Sequence, residues 1–421
     1  MTERHEGRAT GLHRNVWVTS LTSFLTDVSS EMIQNVLPLF LANVLGVRTW
    51  AVGVVEGLAE TTSALLKLYS GRLSDRLGER KWLAVAGYAV SSVAKPFYYV
   101  ANSWVVVAMI RWADRVGKGV RTAPRDALLA DSVGRRHRGL AFGLHRAADT
   151  GGAVLGILIA VLLVTHLQGK EALLGAATFR TLVLWSLLPA FLAVVVLAVG
   201  ARDVTPRDGR ERPADGGKTV KTPSHGLKEL GRPFLLFLIA SAVFEIGNSS
   251  DAFLILRAQE RGMNVAHVLW TMVGFNAVYA LVSTPAGSLA DRVPRRFVLL
   301  GGWVVYALVY LGFARAGSPR AVVVLFLVYG AYHGLAAGSA KALVADLVPA
   351  HLRGTAYGMY AAVVGILALP ASLLAGLLWQ GAGPWSGFGP AAPFYFGAAA
   401  ALLAGAVLVA VPTHGSGVET G

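Results

Sequence analysis

One pattern occurs twice in this chain, about half its length apart. Gly71 begins "GRLSDRLGERK" and Gly287 begins "GSLADRVPRR", each closing one apolar run and opening the next. "SSEM" at Ser29 is answered by "SSDA" at Ser249, 220 residues on. "DALLADSVGRRHRGLAFG" from Asp126 is answered by "KALVADLVPAHLRGTAYG" from Lys341. Asp75 thus pairs with Asp291 at a spacing of 216, and Asp131 with Asp346 and Arg138 with Arg353 at 215. A half-chain repeat inside apolar sequence points to two bundles of one topology, the pattern of membrane transporters with parallel halves.

Composition agrees with a membrane setting. Apolar residues make up 54% of the chain and charged residues 15%, against about 25% charged in soluble domains. Apolar runs of roughly 20 residues, each enough to cross a bilayer core as a helix, recur along the chain. They lie near 16–41, 50–70, 82–101, 104–130, 139–165, 180–200, 234–256, 267–287, 297–315, 320–345, 355–379 and 391–412. None shows the ten-residue alternation of a membrane barrel. The expected fold is an all-α polytopic membrane protein, twelve transmembrane helices in two pseudo-symmetric six-helix bundles. The segment 201–232, rich in charges and holding three prolines, has nothing to form a core and is expected to be a solvated linker. It separates an N-terminal bundle, 1–200, from a C-terminal bundle, 233–421.

The net charge of +14 raises the question of nucleic acid, and its distribution answers it. With a cytoplasmic N-terminus, the inner loops collect Arg72, Arg76, Arg80, Lys81, Arg135, Arg136, Arg138, Arg292, Arg295, Arg296 and Arg353. The outer loops hold only scattered Arg48, Lys170, Arg257, Arg261 and Arg320. That is a positive-inside bias, which predicts a plasma (inner) membrane protein with both termini cytoplasmic and leaves nucleic acid unnecessary. Zero cysteines exclude disulfides and thiol chemistry. The first fourteen residues, with Glu3 and Glu6, do not resemble a cleaved signal.

At the loops the residues resemble a known family. "GRLSDRLGERK" is similar to the signature between the second and third helices of the major facilitator superfamily, and "GSLADRVPRR" to its reduced copy between helices eight and nine. Glu79 stands where that pattern has a basic residue, and Pro294 replaces the second glycine of the C-terminal copy. The stretch from Arg115 to Gly119 resembles the fourth-helix motif of proton-coupled facilitators, with Lys118 at the position of its glutamine. The glycine-rich fifth-helix motif of the antiporters is matched by Gly151, Gly152 and Gly156, but Ile157 stands where its proline would be. The resemblance implies a proton-coupled secondary transporter working by alternating access, with efflux weakly favoured over uptake.

Gly71 and Gly287 permit close helix approach, and Asp75 and Asp291 are placed to meet the positive N-terminal end of a helix from the other half. Arg80 or Lys81 is expected to bridge to Asp131, and Arg296 to Asp346, with Arg76 and Arg292 completing the basic loop ends. Plain topogenic charge is the rival explanation for the arginines.

An ionisable residue in the membrane costs at least a few kcal/mol and is a functional candidate by default. Asp27 and Glu31 share one face of helix one. Arg111, Arg115, Lys118 and Arg125 form a stripe on helix four, with Asp114 and Arg121 alongside, and His145, Asp149, Gly152 and Gly156 line helix five beside Arg146. Asp27, Glu31, Arg115, Lys118, His145, Arg146 and Asp149 are therefore proton-coupling or substrate candidates, against the alternative of a structural ion-pair lattice. The C-terminal half is milder: Glu245, Asn248 and Asp251 on helix seven, Asn276 and Tyr279 on helix eight, and Tyr332, His333 and Lys341 on helix ten. Trp17, Trp50, Trp104, Trp185, Trp303 and Trp379 read as interfacial anchors.

There is no phosphate-binding GxxxxGK[ST] loop, no His-Glu-x-x-His and no His- or Met-rich tract. No cofactor is expected, and a metal site at Asp27, Glu31, His145 and Asp149 is a minor alternative. The predicted partners are a small-molecule substrate, protons and the lipid bilayer, with the protein a monomer. Proton-coupled efflux of a small organic molecule leads. Uptake or exchange of an anionic or zwitterionic solute held by Arg115, Lys118 and Arg146 is the alternative, ahead of a lipid flippase or metal exporter. An enzyme is disfavoured because no nucleophile–base arrangement stands out.

Overall fold

A computed structural model of the chain describes residues 13–77, 80–134, 137–169, 171–204, 230–349 and 352–411. The core of the expected linker, 205–229, lies outside them, as do Glu79, Arg135, Arg136, Lys170 and both chain ends. The side chains of Arg72, Asp75, Gly287 and Asp291 are likewise outside the described set.

Twelve helical spans follow one another among the described residues. They are α1 (Arg14–Gln34), α2 (Thr49–Leu77), α3 (Lys81–Ala94), α4 (Trp104–Asp131), α5 (Arg138–Gln168) and α6 (Ala176–Gly200), then α7 (Arg232–Glu260), α8 (Val265–Arg292), α9 (Arg295–Arg315), α10 (Pro319–Leu347), α11 (Arg353–Gln380) and α12 (Ala392–Val409). Apolar surroundings offer the backbone no other partner, so each span closes its own hydrogen bonds. Side chains satisfy several helix starts. Ser103 Oγ accepts from the Val106 amide at 3.4 Å, Asn264 Oδ1 from His267 at 2.8 Å and Ser318 Oγ from Ala321 at 3.3 Å.

Three runs that look continuous in sequence are interrupted. After α1 the chain makes a short helix, Leu37–Leu39, and a π-helical turn, Phe40–Val44, around Pro38. α3 tightens into a 3₁₀ segment, Lys95–Val100, where Pro96 enters. α7 consists of Arg232–Gly247 and Ala252–Glu260. Between them lies "NSSD", whose short polar side chains compete for backbone groups: Ser250 Oγ accepts from the Ala252 amide at 3.3 Å, and the Ser250 amide donates to Ser372 Oγ at 3.2 Å.

Eight helices among the described residues, α5 to α12, are long and apolar enough to cross a membrane. The α-helical part of α3 spans only 14 residues, and α4 is dense with charge. Leu188, Val199 and Leu281 are exposed by 75%, 74% and 74%, the outward apolar surface of an integral membrane protein.

Contacts group the described residues into two compact units, within Met1–Phe40, Thr62–Gly169 and Leu174–Lys218 for the first and Leu41–Thr61, Lys170–Leu173 and Thr219–Gly421 for the second. This differs from the sequence division at 200 by placing the first half of α2 in the second unit. In the first unit α1 lies between α5 and α6 and α3 packs on α4; in the second α7 lies between α12 and α11 and α9 packs on α10. The sequence repeat is thus a packing repeat.

Close helix approach explains the fifth-helix glycines. A Cβ on Gly152 would fall 2.3 Å from the Phe24 carbonyl oxygen, and one on Gly156 2.5 Å from that of Val28. Small-residue packing against α1 requires both glycines, so they carry no information about transport direction. Within the second unit α2 meets α11 in the same way. A Cβ on Gly53 would sit 2.2 Å from the Ser372 oxygen, Thr49 Oγ1 donates to the Gly376 carbonyl at 2.9 Å, and Thr61 Oγ1 to that of Gly365 at 2.7 Å.

Candidate functional site

The first unit holds a polar cluster assembled from four helices. α1 presents Ser23, Asp27, Glu31 and Gln34 at near-helical spacing, one stripe down one face. α4 supplies Arg111, Asp114, Arg115 and Arg121, all buried. Arg115 Nη2 donates to Gln34 Oε1 at 2.7 Å. Arg121 lies over the Tyr88 ring at 4.5 Å and donates to Ser91 Oγ at 2.7 Å, and that hydroxyl donates to the Asp114 carbonyl at 2.9 Å. Arg125 Nη1 donates to Ser23 Oγ at 2.9 Å, and its fork holds Asp126 Oδ1 at 2.7 and 2.9 Å. On α5, His145 places Nε2 3.0 Å from Ser23 Oγ and Nδ1 3.6 Å from Asp149 Oδ2.

Asp27 differs from the rest. It is half-buried, and no hydrogen bond or ion pair to its carboxylate falls among the described residues. Asp149 and Glu31 act on it electrostatically with one sign, Lys118 and Arg121 with the other. Glu31 does not pair with Arg115; its Oε2 accepts from Asn35 Nδ2 at 2.8 Å. Arg146 is exposed, next to the buried His145 on α5. Among the described residues no three His, Asp or Glu side chains gather as metal ligands, so the alternative metal site at Asp27, Glu31, His145 and Asp149 is not assembled.

Sequence reasoning missed Lys95. Its ammonium is buried and donates to Ser29 Oγ at 2.5 Å and Ser30 Oγ at 3.2 Å. A lysine inside an apolar run, just before a proline, was the available signal. Glu56 on α2, also buried, carries the same kind of signal.

The second unit gathers rings around two acids, Glu245 and Asp251. Glu245 Oε2 accepts from Asn248 Nδ2 at 3.1 Å, and Tyr329 Oη donates to Asp251 Oδ1 at 2.8 Å. Phe244 stacks on Trp303 at 4.8 Å, and Tyr332 lies 4.9 Å from the His333 ring. A cavity of about 160 Å³ opens among Glu245, Phe244, Trp303, Tyr332, His333 and Tyr360. Trp303 and Trp379 are therefore not interfacial anchors: both are buried, whereas Trp17 and Trp185 are exposed. Arg257 is no loop charge either. It is fully buried, donating to the Phe313 and Ala314 carbonyls at 3.0 and 2.9 Å and to Glu260 at 2.8 Å.

The repeated loops are matched atom by atom in part. Arg80 Nη1 lies 2.5 Å from Asp131 Oδ2, so of the two expected partners, Arg80 and Lys81, Arg80 makes the bridge. In the second unit the partner of Asp346 is Arg295, at 2.7 Å, and not Arg296, which donates to the Val411 carbonyl at 3.3 Å and covers Phe297. Successive residues on a helix point about 100° apart, so the neighbour takes the contact. Arg138 and Arg353 each donate to a carbonyl eight residues earlier, Ala130 at 3.4 Å and Ala345 at 3.2 Å. A Cβ on Gly71 would meet Ala123 at an ordinary 3.5 Å, so close packing does not demand that glycine. Arg76 and Arg292 are exposed. Asp203, unremarked in sequence, accepts from the Arg80 and Lys81 amides at 3.0 and 2.9 Å and caps α3.

The sequence model of the Major Facilitator Superfamily matches residues 19–264 and 252–421. An uncharacterized MFS-type transporter of Methanocaldococcus jannaschii is 36% identical over 404 residues, covering 94% of this chain and 95% of the relative. The multidrug resistance protein MdtG of Salmonella paratyphi C is 24% identical, covering 76% and 78%. A crystal structure of a peptide transporter POT in complex with sulfate superposes with a TM-score of 0.76 at 14% identity, covering 96% of each chain.

Proposed function

The chain belongs to the Major Facilitator Superfamily, and from that premise we propose that it exports a small organic molecule in exchange for protons, by alternating access. Asp27 carries this reading. A carboxylate inside a membrane span costs at least a few kcal/mol when charged and alone, and most intramembrane charges here are tied into direct contacts. Asp27 is not. Two acids and two bases act on it with opposite sign, so a small shift of α1, α4 or α5 resets its affinity for a proton. That is what a coupling site must do once per cycle. The similarity to a multidrug resistance protein agrees with export of an organic solute.

The test uses purified protein in liposomes with an imposed pH gradient. Asp27→Asn is expected to abolish gradient-driven movement while leaving substrate exchange at zero gradient. Full gradient-driven transport in that variant overturns the assignment.

A second reading rests on charge balance. Lys95, Arg111, Arg115, Lys118, Arg121, Arg125 and Arg146 are seven basic residues against the five acids Asp27, Glu31, Asp114, Asp126 and Asp149. That excess suits uptake or exchange of an anionic solute. Accumulation of an organic anion by the same liposomes, with no movement of cationic or neutral compounds, supports it over export.

A further inference from the structure

We propose that the cavity in the second unit walled by Glu245, Phe244, Trp303, Tyr332 and Tyr360 binds the ammonium head of a small organic amine. This rests on the transport reading and deepens it, naming the class of substrate and the groups that hold its charge.

Glu245 opens onto the cavity, and among the described residues its carboxylate accepts only from the neutral amide of Asn248. No described cation lies within ion-pairing distance of it. A charged acid held in an apolar span without a counter-ion is costly, and a bound ammonium supplies that counter-ion. The walls suit the same guest. Four of the lining residues are aromatic, with Phe244 and Trp303 parallel within 8° and Tyr332 6.1 Å from Phe244. Aromatic side chains grouped beside a carboxylate are the residue types that recognise alkylammonium groups.

Size and the remaining polar groups narrow the guest. The cavity measures about 160 Å³, and an engineered cavity of about 150 Å³ holds one benzene, so the bound portion is one ring or a compact alkyl group. His333 also lines the cavity, but its Nε2 is buried, with no hydrogen-bond partner among the described residues, so the carboxylate of Glu245 is the group that meets the ligand's charge. Lys341 lines the cavity too, exposed and eight residues further along α10, about 12 Å at helical rise. Its charge opposes a second cationic group and selects monocations.

Calorimetry on the purified, detergent-solubilised chain tests this with tetramethylammonium and benzylamine as probes and benzoate as control. Saturable binding of both ammonium probes, none of benzoate, and at least tenfold weaker binding in Glu245→Gln and Tyr360→Leu are expected. Failure of the wild type to bind either probe, or equal affinity in Glu245→Gln, overturns the proposal. If that variant does not fold, the wild type suffices. A carbodiimide label on Glu245, mapped by peptide mass, is expected to be blocked by tetramethylammonium, and an unprotected Glu245 overturns the proposal. The two readings fail separately. Proton-driven flux of a neutral or anionic solute without ammonium binding removes this site and leaves the antiport reading. Ammonium binding without proton-driven flux removes the antiport reading and leaves the site.

Discussion

The two units share a topology and differ in what fills it. The first binds its helices through charge: Lys95 on two serines, Arg121 on Tyr88 and Ser91, Arg125 on Ser23 and Asp126. The second packs rings, with Phe244, Trp303, Tyr306, Tyr310, Tyr329 and Tyr332 in one continuous cluster beside Glu245 and Asp251. What the repeat preserves is the scaffold, down to Arg138 and Arg353 gripping equivalent carbonyls. The interior diverged, so a duplicated fold supports two kinds of binding chemistry without altering helix order.

The contrast can be broken most sharply through function. Asp27→Asn is expected to reduce gradient-driven transport to the level of empty liposomes. Asp126→Asn, whose side chain is 42% exposed and already paired with Arg125, should retain most of it. Equal loss in both would show that overall charge matters and the position of Asp27 does not.

Stability comes next. Gly156→Leu drives a side chain into α1, and overpacking of this kind costs about 1–3 kcal/mol, read as a lower melting temperature in detergent. Gly301→Leu in the second unit, with nothing within 4 Å of its Cβ position, should leave melting unchanged. Arg257→Met strips the Phe313 and Ala314 carbonyls of their donor, and an unsatisfied buried group costs about 1–3 kcal/mol. A melting point unchanged by that substitution would mean that water replaces the guanidinium.

The smallest effect compares the repeated ion pairs directly. Arg80 and Asp131 are 21% and 14% exposed, Arg295 and Asp346 31% and 49%. Double-mutant cycles should give a coupling of about 0.5–1 kcal/mol for the first pair and less for the second, since exposed pairs contribute little. A stronger coupling in the second pair would reverse the ranking by burial.

Much of the scaffold is legible in the residues. Apolar runs and the repeat place all twelve spans, and the acids and bases of α1, α4 and α5 stand out because they interrupt such runs. The aromatic cavity does not, because Phe244, Trp303, Tyr332 and Tyr360 come from four helices with no local motif joining them. Arg257 is misplaced for a different reason. Beside Glu260 and Arg261 it resembles a loop charge, and only the incoming carbonyls of α9 show it to be interior. The exchange of Arg295 for Arg296 turns on one helical step, which spacing alone does not resolve. Interruptions in α1, α3 and α7 are visible as Pro38, Pro96 and "NSSD", yet hydropathy averages across them.

The gap in α7 has a mechanical meaning. A continuous helix transmits rotation and axial load from end to end; one opened for four residues does not. The second piece, Ala252–Glu260, is riveted to the end of α9 by Arg257, while Glu245 rides on the piece before the gap. Tyr306 holds that piece at its last turn, through the Gly247 carbonyl at 3.0 Å. The acid is thus mounted on a piece of helix with its own anchor, separate from the one that holds the far end of the same span.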